Sequence, residues 1–165
     1  MKNYLLFLIP LWAIVSCTRD SGSGVEIYQL KSFQAVSSRQ EIIAGSEKLS
    51  KNPLILYNDI ISYDSTEHYF KIDSIKASRL QKINWPVSGT GFAITINREI
   101  VYSGYLVPGY SSTGCGWYCI DPLGFNCRLK ITLGYPAGTD QLQGEDQRNN
   151  SKLIDFLKED GKLNH

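Results

Sequence analysis

The sequence predicts an α+β domain built on a mainly antiparallel sheet, with short helices and a C-terminal helix. Three observations carry that prediction. Segments of period-two alternation recur along the chain. A hairpin signature sits at mid-chain, where Phe92, Ile94 and Ile96 share one strand face before the polar break Asn97-Arg98-Glu99. An amphipathic stretch ends the chain, with Leu153, Ile154 and Leu157 on one side. Strands segregated from a terminal helix argue for α+β over alternating βαβ units.

The opening segment, MKNYLLFLIPLWAIVSC, is not part of that domain. Lys2 precedes an apolar run over residues 4–15. As a helix the run spans roughly 18 Å, short of the ~30 Å hydrocarbon core. A basic start, a short apolar stretch and a small residue at the exit read as a signal peptide over residues 1–16. Ile14-Val15-Ser16-Cys17 resembles a bacterial lipobox, a resemblance that implies cleavage before Cys17 and lipidation, palmitate included, of that cysteine. Two or more acyl chains on one residue anchor a domain stably. Residues 17–24, containing TRDSGSG, form a flexible tether, and residues 25–165 form one domain.

Within the domain, residues 25–30 alternate as a strand, whereas 31–52 are mixed and carry no clear period. Pro53 leads through Leu54-Ile55-Leu56-Tyr57 to Asn58 or Asp59, which suit the cap of a short helical turn before the polar turn Asp64-Ser65-Thr66. A short strand follows over 68–72. Asp73 or Ser74 then caps a helix with Ile75, Leu80 and Ile83 as its apolar stripe, closed by Trp85-Pro86. The hairpin strands run to Ile96 and from Ile100 to about Val107, with Asn97 suited to positive φ in the turn. Residues 117–120 and 127–133 make two more strands around the turn Asp121-Pro122-Leu123-Gly124. A final helix over 151–160 takes Asn150 or Ser151 as N-cap and Gly161 as its terminating glycine.

Several function classes drop out early. Without Lys2 the chain carries 16 basic and 16 acidic residues, and no basic run, so it is poorly suited to nucleic acid. No G-x-S-x-G, H-E-x-x-H or P-loop occurs, and no cofactor is implied. Asp59 and Asp64 fit capping and turn roles better than a paired-carboxylate site.

The cysteines Cys115, Cys119 and Cys127 follow C-x3-C-x7-C, which lacks a zinc knuckle, and His68 and His165 are remote, so no metal site is predicted. Four residues of regular strand cover ~13 Å, too far for a Cys115–Cys119 bridge, although Gly114 and Gly116 leave a bend open. A symmetric hairpin about Leu123 sets Cys119 opposite Cys127. A Cys119–Cys127 disulfide with Cys115 as the free thiol is therefore expected.

Beyond the lipobox, the layout resembles a family of uncharacterised small bacterial lipoproteins. The matching pieces are Ile60-Ile61-Ser62-Tyr63-Asp64 with Glu67-His68, Gly91-Phe92-Ala93-Ile94-Thr95, Ile100-Val101-Tyr102-Ser103-Gly104-Tyr105, Ser111-Ser112 and Asp146-Gln147-Arg148-Asn149-Asn150. The resemblance implies architecture and a place in the cell envelope, held to a membrane through Cys17; it implies no activity.

Function is read from the aromatic residues. Tyr102, Tyr105, Tyr110, Trp117, Tyr118 and Tyr135 crowd the Gly- and Ser-rich second half, and such side chains suit recognition as well as cross-strand packing. The expectation is a non-enzymatic binding module for an envelope protein or glycan, contacting it through Tyr105, Tyr110 and Trp117. The rival is a thiol-dependent enzyme or redox protein using Cys115, with His68 as its base.

Overall fold

A computed structural model of the chain describes residues 23–37, 40–136 and 145–165. The expected signal peptide, Cys17 and the expected tether up to residue 22 lie outside the described residues. The strands and helices are β1 (Val25–Ser32), β2 (Ala35–Val36), β3 (Glu41–Ile42), β4 (Lys48–Leu49), β5 (Ile60–Asp64), β6 (Tyr69–Ile72), α1 (Ser74–Gln81), β7 (Thr90–Ile96), β8 (Glu99–Leu106), β9 (Cys115–Ile120), β10 (Arg128–Tyr135), α2 (Ser151–Glu159) and β11 (Leu163–Asn164). Nine strands form one sheet in the order β11-β5-β6-β10-β9-β8-β7-β1-β4, and β2 and β3 pair separately. The fold is thus α+β with strands dominant.

The sheet is mixed rather than purely antiparallel: six of its eight neighbouring strand pairs are antiparallel and two are parallel. The hairpin β7–β8 forms as the alternation predicts, turning at Asn97 and Arg98, both with positive φ. The chain end instead runs beside β5 in parallel, pairing Leu163 with Tyr63. Strand β9 also runs parallel to β8, joined only at Tyr105↔Cys119 and Leu106↔Ile120. Parallel neighbours need a long return connection. Only residues 107–114 separate these two strands, so the chain comes back part of the way. The strands meet at their C-terminal ends and fork apart toward their N-terminal ends.

Helices cover one face of the sheet. Val25, Ile27, Phe92, Ile94, Tyr102, Tyr118, Ile131 and Phe70 point to that face, where Ala77 and Leu80 of α1 and Leu153 and Leu157 of α2 meet them. The N-cap of α1 is Asp73, whose carboxylate accepts from the amides of Ile75 and Lys76, both at 2.9 Å. Its stripe differs from expectation: Ile75 is 66% exposed and Ile83 41%. Ile75 lies five residues before Leu80 and so faces away from it, whereas Ala77, three before, shares its side. Asn150 caps α2 by accepting from Lys152, and Gly161 has φ +66 just past the helix end. The helical turn expected after Tyr57 is a single 3-10 turn over Tyr57–Asp59, and the following residues form β5.

The opposite face is only partly covered. Leu30, Ile42 and Ala93 pack there with Phe33, Leu49, Tyr105 and Trp117. Beside them Val107, Cys115 and Cys119 form a third cluster that Tyr105, Trp117 and Tyr135 also join.

The disulfide expectation is overturned. Cys115 bonds to Cys119, with Cα atoms 6.6 Å apart, and Cys127 is the free thiol. Ile120 pairs with Ile131 and Cys119 with Thr132, so the β9–β10 hairpin centres between Phe125 and Asn126 rather than at Leu123. Cys127 falls inside the connection, in a 3-10 turn where Asn126 and Cys127 both have positive φ. The nearer pairing is possible because β9 is not a regular strand. Between Tyr118↔Leu133 and Cys115↔Tyr135 the register slips, two residues of β9 facing one of β10. Such a bulge kinks the strand and shortens the span that would otherwise separate the two cysteines.

Candidate functional site in the sheet fork

The fork between β8 and β9 opens into a cleft of about 600 Å³. That size lies within the range of ligand pockets. Its apex is Gly104, where the strands approach so closely that an added Cβ would sit 2.3 Å from the Tyr118 carbonyl oxygen. One wall is aromatic. Trp117 reaches across the gap and donates its indole N–H to the Ser103 carbonyl at 2.9 Å, taking a place that a β9 amide would hold in a regular ladder. Its ring meets Tyr118 edge-on, with centroids 5.0 Å apart, and Tyr118 in turn packs on Tyr102 at 4.9 Å.

Two buried polar atoms at this cleft lack hydrogen-bond partners. Glu47 accepts the Ser103 hydroxyl at 2.9 Å through Oε1, leaving Oε2 buried and unpaired. Tyr102 is 6% exposed and its hydroxyl is likewise unsatisfied. Both residues line the cleft. A buried polar group without a partner costs about 1–3 kcal/mol, so unpaired atoms at a cleft wall are places where a ligand gains. Burial also pushes the Tyr102 phenol well above its ordinary pKa, so it stays protonated as a donor.

Beneath the aromatic wall lies a paired polar cluster. Asp146 holds Arg148 through both its oxygens, the Nη2–Oδ2 contact being 2.6 Å, and Arg148 also donates to the Ile131 carbonyl at 3.2 Å. Tyr63 donates to the Arg148 carbonyl, and the Gln147 amide donates to the Tyr118 hydroxyl, each at 2.8 Å. Burial raises the Tyr63 and Tyr118 phenols. Burial also acts to raise Asp146, but its bonds to Arg148 outweigh that and lower it. His68 is lowered by burial first and then by the Arg148 cation. These contacts pin the segment before α2 against the sheet.

The predicted contact residues do not form one patch. Tyr105 and Trp117 share two packing clusters on the less covered face, with Tyr105 edge-on to Phe33 at 5.7 Å. Tyr110 shares neither cluster. It is 57% exposed, and its hydroxyl donates to the Trp85 carbonyl at 2.9 Å. Asp59 and Asp64 serve locally: Asp59 accepts the Leu56 amide and pairs with Lys76 at 2.7 Å, and Asp64 accepts from Thr66 and Glu67 in the turn. The Cys115–His68 pair is not assembled. Cys115 is bonded to Cys119 in the third cluster, whereas His68 pairs through its carbonyl with Ile131, whose side chain faces the helices. Among the described residues no group of three or more His, Cys, Asp or Glu converges as a metal site.

A second groove, of about 480 Å³, lies beyond the disulfide and includes Tyr69, Phe125, Arg128, Lys130 and Tyr135. Its cations are already engaged: Arg128 lies 4.8 Å over the Tyr69 ring, and Lys130 pairs with Glu67 at 2.8 Å. Sequence reasoning missed Glu47, which sits in a stretch without periodicity, and it took Tyr102 for one aromatic among six. Comparison with known proteins finds no matching family, no similar curated protein and no similar solved structure.

Proposed function

We propose that this chain is a lipid-anchored lipoprotein of the bacterial cell envelope whose domain is a non-enzymatic binding module, with the sheet fork as its ligand site. The anchor rests on the lipobox Ile14-Val15-Ser16-Cys17 and on the family resemblance; Cys17 takes the acyl chains and holds the domain to the membrane. The ligand is an envelope protein or glycan. One observation carries the binding reading: a 600 Å³ cleft bordered by Trp117 keeps two buried polar atoms, Glu47 Oε2 and the Tyr102 hydroxyl, without partners. The recognition residues shift accordingly. Trp117 stays, Tyr102 and Glu47 join it, and Tyr105 supports the wall from the neighbouring cluster. A thiol-dependent activity at Cys115 has no thiolate to use while the bond to Cys119 is closed.

The test is a peptide and glycan array probed with the full mature chain in detergent, beside Trp117→Phe, which keeps a ring but loses the indole donor. The reading expects a discrete ligand set for the wild-type chain and at least tenfold weaker retention for the variant. An array bound equally by both proteins, or by neither, would rule out the fork as the site.

A further inference from the structure

The fork cleft has a sign. Besides Glu41, which is engaged with a partner of its own, its described charged residues are three carboxylates, Glu47, Glu99 and Glu145, against one guanidinium, Arg98. Arg98 also lies 5.5 Å above the Tyr28 ring. Glu47 has one oxygen on the Ser103 hydroxyl and the other buried without a donor. A carboxylate whose empty acceptor oxygen is buried is most stabilised by a charged donor, because charge-assisted hydrogen bonds are roughly twice as strong as neutral ones. The rings of Trp117, Tyr118 and Tyr102 line the same cleft. Aromatic faces attract organic cations, and the attraction grows when the site is partly desolvated.

Resting on the reading of the fork as the ligand site, we infer that its ligand is an organic cation: an ammonium or guanidinium group that donates to Glu47 Oε2 and lies against the Trp117–Tyr118–Tyr102 wall. Two sources carry that chemistry, a basic side chain on a peptide and a free amine. A neutral sugar would use the rings but leave the charge of Glu47 unmatched.

The experiment titrates the mature chain in detergent with N-acetyl-lysine methylamide, n-butylammonium and the neutral analogue N-acetyl-norleucine methylamide, with methyl glucoside as the sugar probe. Binding is read by calorimetry and by the indole N–H resonance of Trp117. Saturable binding of the lysine derivative, at least tenfold tighter than norleucine and weakened by added salt, is expected. Tighter binding of butylammonium than of the lysine derivative would assign a free amine; the reverse would assign a peptide. Glu47→Gln keeps an acceptor for Ser103 and should cost the cation at least tenfold. The comparison of lysine with norleucine needs no variant, so a misfolded Glu47→Gln would not decide the matter. Equal affinity for the lysine and norleucine derivatives, or no binding by either cation, overturns the inference. If methyl glucoside nonetheless shifts the Trp117 resonance and Trp117→Phe abolishes its binding, the fork survives as a site and only its charge preference is lost.

Discussion

Gly104→Ala tests whether the close approach of β8 and β9 holds the fork in shape. The added methyl would lie 2.3 Å from the Tyr118 carbonyl oxygen and 2.8 Å from both Tyr118 Cβ and the Phe92 ring. Ordinary C···O contacts between strands lie at roughly 3.3–3.6 Å, so the backbones must part by about 1 Å. The nearest atom is backbone, and no rotamer relieves the clash. Only two register pairs, Tyr105↔Cys119 and Leu106↔Ile120, tie these strands together, and they adjoin Gly104. Overpacking of this kind costs about 1–3 kcal/mol, and a strained inter-strand hydrogen bond adds about 1. A loss of about 2–4 kcal/mol follows, or roughly 5–15 °C in melting temperature for a domain of this size. Urea unfolding followed by tryptophan fluorescence and circular dichroism gives the number. Gly161→Ala is the control: nothing lies within 4 Å of its Cβ, yet φ is +66, so it should cost only about 1 kcal/mol. If Gly104→Ala lost less than the control, the strands would not be in the tight contact that shapes the cleft.

Folding lowers the pKa of His68 below its usual 6.5, so the unfolded chain binds that proton first. Stability should be full above that value and fall as pH drops from 7 toward 5. A second loss follows as pH falls through the lowered folded values of Asp146 and Asp64. His68→Gln should flatten the first decline and keep the second, and a wild-type melting temperature constant between pH 7 and 5 would contradict the assignment. Chymotryptic mapping without reductant should link Cys115 to Cys119 and leave Cys127 open to alkylation. Cys119→Ser should then cost about 2 kcal/mol for so short a loop in the chain-entropy treatment. A Cys119–Cys127 linkage would instead restore the symmetric hairpin.

Features that neighbours along the chain decide were legible in the sequence. Asn97 announced the β7–β8 turn because it tolerates positive φ, and there it also accepts the Gly24 amide at 2.8 Å. Asp73, Asn150 and Gly161 marked helix ends because capping is a contact between residues two or three apart. The alternation of β1 was read correctly, but its second face proved buried too: Tyr28 donates to Glu26 at 2.8 Å on the side that alternation alone assigns to water.

The rest was decided by partners far apart in sequence. Leu163 shows no strand period of its own and becomes β11 because β5 offers it an edge. The register of β9 against β10 moved the hairpin centre, and with it the disulfide, since a shift of a few residues re-pairs every side chain. Glu47 carries no local signal at all; it acquires a role because Ser103, fifty-six positions away, meets its carboxylate. The sequence by itself thus determined the fold class, the hairpin and the helix caps, because those follow from periodicity and short-range hydrogen bonding. Tertiary structure alone decided the mixed sheet, the cysteine pairing and the cleft, because each depends on which distant strands come to lie side by side.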